Sequence, residues 1–198
     1  MKPKDIDLFF NRLSENFSGN VKIIILGGAG SLLMGGKRPT LDIDFEVRFN
    51  DGENIDRVKF QEAIKKTTQT TGISAQFSED AERWSEISLS DYSEHLKTYK
   101  AFKNIAVYFL EPEYWSIGKI SRYWDQDIQD MIAVFKHENI GPINLLAVWT
   151  TAISQSPLSS QLFSAKKHIF HFFKTFGRKI WDKDYPEEKI LEILEKQF

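Results

Sequence analysis

Ile6, Phe9, Phe10, Leu13 and Phe17 recur at intervals of three and four. That spacing gathers apolar side chains on one helical face, and it predicts an opening amphipathic helix that Asn20 ends. Val21 to Leu26 is a continuous apolar and β-branched run, the pattern of a strand buried on both faces. Gly27 to Gly30 reads as a turn, Ser31 to Met34 as the start of a short helix, and Gly35 to Pro39 as a loop. Leu41 to Arg48 is expected to form a second strand, followed by a turn at Asp51-Gly52. A helix is expected from Ile55 to Thr70, with Ile55, Val58 and Ile64 at least partly buried.

Beyond Ile73 the pattern shortens. Ile73 to Phe77, Trp84 to Leu89 and Asn104 to Leu110 read as strands of a mixed sheet. From Glu111 onward the periodicity is helical. Glu113 to His137 is one broken helix or two, and Gly141-Pro142 opens another that runs through Ile153. Gln155 to Ser160 is a polar connector. Gln161 to Phe176 is helical and closed by Gly177, and Glu187 to Lys196 is the last helix. No internal repeat or low-complexity tract is present. The expected fold class is α/β (α+β): a mixed sheet flanked by helices over 1–110, then a helical region over 111–198.

Composition narrows the picture. At 198 residues the chain is one domain or two small ones. A net charge of −2 gives no global attraction to nucleic acid or membrane, so any basic surface is local. There is no cysteine, which excludes disulfides and thiolate metal sites. No apolar stretch is long enough to cross a bilayer, and the opening residues lack an apolar signal core. The expectation is a cytoplasmic protein with no membrane partner.

The candidate chemistry lies in Gly27-Gly28-Ala29-Gly30-Ser31, ten residues, then Asp42-Ile43-Asp44. Side chains two apart on a strand share a face, so Asp42 and Asp44 present paired carboxylates while Leu41, Ile43 and Phe45 face a core. Paired carboxylates suit Mg²⁺, which takes oxygen ligands and leaves sites for substrate phosphates. Backbone amides of Gly28, Gly30 and Ser31, with the Ser31 hydroxyl, would hold phosphates. Glu46 is in phase with both acids and either assists them or is simply exposed. Separately, each half also fits a glycine cap or a surface acid pair.

This run, with Arg38-Pro39-Thr40-Leu41 before the acids, resembles the nucleotidyltransferase (polymerase β-like) signature. Within that superfamily it is most similar to AbiEii-type nucleotidyltransferase toxins of abortive-infection and type IV toxin–antitoxin systems. The resemblance implies a mixed sheet with Mg²⁺ and an NTP, and transfer of a nucleoside monophosphate or related group to an acceptor. It also implies a possible antitoxin partner. The segment Lys119 to Asp130 resembles the family's later Lys…Arg…Lys-Asp-x-x-Asp segment. On an unbroken helix, Lys119, Arg122, Asp127 and Asp130 fall in a stripe about 140° wide, with Ile120, Ile128, Met131 and Phe135 opposite. In this likeness Lys119 and Arg122 bind triphosphate, and Asp127 or Asp130 orients Lys119 or activates an acceptor. The alternative is a solvated face of ordinary ion pairs. Gln126 stands where the family usually has Lys.

Many polymerase β-like enzymes add a third carboxylate from a neighbouring strand. Glu86 is the candidate, with Asp91 and Glu111 as rivals. Lys37 and Arg38, in the loop before the acids, are candidates for neutralising phosphate. Lys166, Lys167, His168, His171, Lys174, Arg178 and Lys179 make a local basic patch among phenylalanines that read as core. Lys166, Lys167, Lys174 and Arg178 are candidates for holding an RNA or tRNA acceptor, against a plain solvated face. His168 and Lys174 also resemble a late His…Lys motif. His95 and His137 suggest no metal or dyad. The leading expectation is therefore a Mg²⁺-dependent nucleotidyltransferase. The alternatives are a nucleotide-binding module without turnover and an RNA-binding module.

Overall fold

The computed structural model describes residues 1–49, 57–81, 85–89, 91–186, 188 and 190–192. Along the chain it forms α1 (Pro3–Asn16), β1 (Val21–Ile25), α2 (Gly27–Leu33), β2 (Asp42–Phe49), α3 (Arg57–Thr71) and β3 (Ser74–Ser78). These are followed by β4 (Leu96–Phe102), β5 (Ile105–Leu110), α4 (Pro112–Arg122), α5 (Asp125–His137), α6 (Pro142–Gln155) and α7 (Ser160–Trp181). Two compact units result. One holds Met1–Leu33, Arg38–Ala81 and Leu96–Leu110; the other holds Met34–Lys37, Glu82–His95 and Glu111–Phe198.

The first unit is a five-stranded mixed sheet in the order β3-β2-β1-β5-β4. β1 runs antiparallel to β2 and parallel to β5. β3 is parallel to β2, and β4 is antiparallel to β5. Strand parity sorts the side chains. Val21, Ile23 and Ile25 of β1 join Ile43, Phe45 and Val47 of β2, with Ile105 and Val107 of β5, in one core. Ile6, Phe9, Phe10 and Leu13 of α1, with Phe60 of α3, cover it. Burying a large apolar side chain is worth about 1.5–3 kcal/mol, so this face dominates the unit's stability.

Several expected boundaries shift. α1 stops at Asn16 and not Asn20, because Phe17 takes extended backbone and packs its ring 5.0 Å from that of Phe60. The expected glycine turn is itself helical, since α2 starts at Gly27. Leu41 lies before β2 and is 90% exposed, so it does not join the core. Val58 is 61% exposed, unlike the buried Ile64. Residues 85–89 form no strand. β4 was not expected: its Leu-Lys-Thr-Tyr-Lys-Ala-Phe sequence suits a sheet edge, where lysines discourage further pairing. Trp84, Ile55 and the Asp51-Gly52 turn lie outside the described residues, as does much of the expected last helix, of which 188 and 190–192 are helical.

The second unit is built from α4 to α7. Glu113 to His137 forms two helices, parted at Tyr123, which adopts a left-handed conformation (φ 56°). Trp149, Phe172, Phe173 and Phe135 form its aromatic centre. Phe163, expected in the core, is 63% exposed. Gly177 does not close α7. It is buried within the helix, where an added Cβ would meet the Tyr185 ring at 2.7 Å, and α7 runs on to Trp181.

Candidate active site

Within the sheet unit the site grows from β2. Ile43 and Phe45 are fully buried in the core, so Asp42 and Asp44, one step out of phase, lie together on the other face. The Leu26 N–H donates to the Asp44 carbonyl at 2.8 Å, which ties the start of α2 to the acid strand. Gly27 sits at φ +54°, and a Cβ there would run into the Asp44 carboxylate. A Cβ on Gly28 would lie 2.8 Å from Thr40 Oγ1 and 3.4 Å from Arg38 Nη2. The glycines therefore let the helix backbone approach the acids and the Arg38-Thr40 loop more closely than any side chain permits.

Gly30 and Ser31 occupy the same helix differently. The Gly30 N–H donates to the Leu26 carbonyl at 2.9 Å, so it is spent on the helix and is not an open amide. Ser31 is buried, and among the described residues its Oγ has no hydrogen-bond partner. An unpaired buried hydroxyl costs about 1–3 kcal/mol, a cost that a ligand oxygen would offset. Asp42 is held by two side chains. Thr40 Oγ1 lies 3.5 Å from its Oδ1, and Gln76 Nε2 donates to its Oδ2 at 3.3 Å. Thr40 and Gln76 had no assigned role in the sequence. The signal for Gln76 was the alternation in β3, where Ala75 and Phe77 pack on the core and Gln76 turns the other way.

Glu46 is neither exposed nor available. It is 1% exposed, forms an ion pair with Arg48 Nε, and accepts the Ala81 N–H at 2.9 Å. Glu86 is exposed in a bend, not on a strand. Asp91 opens a short 3₁₀ turn over Tyr92–Glu94. Among the described residues there is no group of three or more His, Cys, Asp or Glu able to hold a metal ion. Two carboxylate oxygen donors on one face nevertheless suit a hard divalent ion that takes its remaining ligands from water and substrate.

Within the helical unit, the left-handed Tyr123 folds α5 back on α4. Lys119 Nζ then reaches Asp127 Oδ1 at 2.8 Å and Asp130 Oδ2 at 3.0 Å, and Arg122 Nη2 reaches Asp127 Oδ1 at 3.1 Å. Lys119, Asp127 and Asp130 are each at most 3% exposed. The expected single-helix stripe is absent because the helix breaks, yet the four residues still meet. Both aspartates hold Lys119, whose ammonium also sits 5.5 Å from the Trp115 ring. Gln126 is exposed.

On α7, Lys167, Lys174 and Arg178 are exposed and Lys166 is half-buried. His168 Nδ1 lies 3.0 Å from the Ile120 carbonyl and its ring stacks on Tyr123, while His171 Nδ1 lies 2.7 Å from the Tyr123 hydroxyl. Both histidines thus brace the helix break. Burial raises the Tyr123 pKa well above its ordinary value. His95, which showed no partner in the sequence, pairs with Glu111 Oε2 at 3.1 Å and stacks on Tyr114. His137 packs where a Cβ on Gly35 would stand. Lys37 belongs to this unit, Arg38 to the sheet unit.

A helix start is thus tied to an acid-bearing strand within one mixed-sheet unit. The chain belongs to the family described as "Nucleotidyltransferase of unknown function (DUF6036)", which matches residues 4–145. That span takes in the glycine–serine helix, the acid pair and the Lys119–Asp130 cluster. No curated protein and no solved structure matches the chain. Among the described residues, no helix is long and apolar enough to cross a membrane.

Proposed function

We propose that this protein is a Mg²⁺-dependent nucleotidyltransferase that moves a nucleotidyl group from an NTP to an acceptor hydroxyl. Asp42 and Asp44 would hold the ion, which supplies charge neutralisation at the phosphates. The observation that carries the reading is the meeting of the acid pair with the start of α2, where Gly27 and Gly28 leave no room for a Cβ. The first-turn backbone and the orphaned Ser31 hydroxyl face the phosphate oxygens in this reading, and Arg38 contributes charge. The acceptor oxygen attacks the α-phosphorus and gives up its proton to water, the bond to the β-phosphate bridging oxygen breaks, and pyrophosphate leaves with that electron pair.

In the helical unit, Lys119 is held by Asp127 and Asp130, and Arg122 keeps one edge partly exposed. Of the two cations that the likeness gives to the triphosphate, Arg122 is the more exposed. The acceptor class is RNA, tRNA or protein, with Lys166, Lys167, Lys174 and Arg178 as the RNA-facing cations. The likeness to AbiEii-type toxins supports a toxin role with an antitoxin partner. A second reading, nucleotide binding without turnover, is favoured by one observation: Glu86 lies in an exposed bend and supplies no third strand carboxylate.

Thermal unfolding with each common NTP, with and without Mg²⁺, tests the site. Saturation at about 100 times Kd stabilises the native state by about 2.7 kcal/mol. The expected outcome is a Mg²⁺-dependent rise that Asp42→Asn and Asp44→Asn abolish, with pyrophosphate release lost in a folded Asp42→Asn protein. A rise without pyrophosphate release across RNA and protein acceptors selects the second reading. Absence of any rise removes both.

A further inference from the structure

β3 is the strand beside the acids, and its register fixes what it can offer them. Asp42 pairs with Ser74, Asp44 with Gln76 and Glu46 with Ser78. Paired residues of a parallel ladder share a face, so the side chains that β3 presents beside the acids are serine, glutamine and serine, with no carboxylate. On the other flank, Ile24 of β1 stands opposite Glu46, and Leu26 follows the strand at the level of Asp44. Glu46 itself is committed to Arg48 and the Ala81 amide. Gln76 is thus a neighbouring-strand side chain that touches Asp42, at 3.3 Å from its Oδ2.

From this juxtaposition we infer that the acid pair with Gln76 is a site for one divalent ion, with a neutral amide in the place from which a third charge would draw a second ion. The inference rests on the reading of Asp42 and Asp44 as metal ligands and deepens it. Two carboxylates balance the charge of a single divalent ion. Among the described residues, a second ion would add two positive charges with no third acid grouped with the pair to meet them, because the amide brings oxygen and nitrogen but no charge. Ligand charge count is what tunes affinity at oxygen sites of this kind. A second ion, if the reaction uses one, has to arrive with the triphosphate's own negative charge.

The test is Mn²⁺ binding to the full chain without nucleotide, by calorimetry and by the relaxation of water protons around the bound ion. One Mn²⁺ per chain is expected, lost in Asp42→Asn. Gln76→Glu, on an exposed edge strand where the fold tolerates it, is expected to bind about tenfold tighter or to take a second equivalent. Gln76→Leu keeps a single equivalent. Two equivalents in the wild type, or a folded Gln76→Glu protein indistinguishable from it, overturns the inference and leaves the acid pair as a metal site. Absence of Mn²⁺ binding, or binding indifferent to Asp42→Asn, overturns the metal reading of the acid pair and this inference with it.

Discussion

Lys119 is the residue whose loss is expected to cost most. Its ammonium lies between two buried carboxylates, and Lys119→Met takes that ion pair from both, leaving Asp127 with the partly exposed Arg122. Removing one partner of a buried pair costs about 3–5 kcal/mol, readable as a fall in the urea midpoint by fluorescence of the adjacent Trp115. Tyr99 carries a second prediction. Burial and its hydrogen bond to Asp7 at 2.7 Å raise its pKa in the fold. The unfolded tyrosine loses its proton near pH 10 while the native one keeps it. Stability is therefore intact below about pH 10 and falls as the pH rises above it. In Tyr99→Phe this alkaline decline is expected to be shallower in thermal melts. At this scale the sequence was legible where one strand's parity decided the outcome, as for Asp42, Ile43, Asp44 and Phe45. It was not legible for Leu41, because parity holds only once the strand has begun. It was not legible for Glu46, whose partner at Ala81 stands 35 residues away.

Elements with their own periodicity were readable, and those shaped by neighbours were not. α1, β1, β2 and α6 follow from runs of apolar residues. β4 has no such run, since an edge strand packs little and pairs on one side. The break at Tyr123 carries no glycine or proline to announce it. A left-handed tyrosine costs about 1–2 kcal/mol, which its stacking on His168 and its bond to His171 offset. The β4–β5 hairpin holds another left-handed residue that is not glycine. Phe102 pairs with Ile105, leaving Lys103 and Asn104 as the loop, and Lys103 sits at φ +50°. Positive φ at the first loop residue alone is where glycine is preferred. Lys103→Gly is expected to raise stability by about 0.5–1 kcal/mol, measured as a higher urea midpoint with unchanged slope.

At the scale of the whole molecule, the mixed sheet and the later helices were legible from the change of period near Glu111. The assignment of 34–37 and 82–95 to the helical unit has no marker in the sequence, because short segments join a unit through contacts and not through pattern. The chain passes repeatedly between its two units, so a fragment ending at Ala81 keeps β1 to β3 but leaves β1 bare on the side that β5 covers. Such a fragment is expected to aggregate on expression while the full chain stays in the supernatant. The same strand order bears on synthesis. β1 leaves the ribosome early, and its second neighbour follows only after residue 110. At about 5–20 residues per second, its sticky flank waits on the order of ten seconds for cover. A nascent chain of this kind depends on whatever shields it during that interval, and rare codons between β3 and β5 would lengthen the wait.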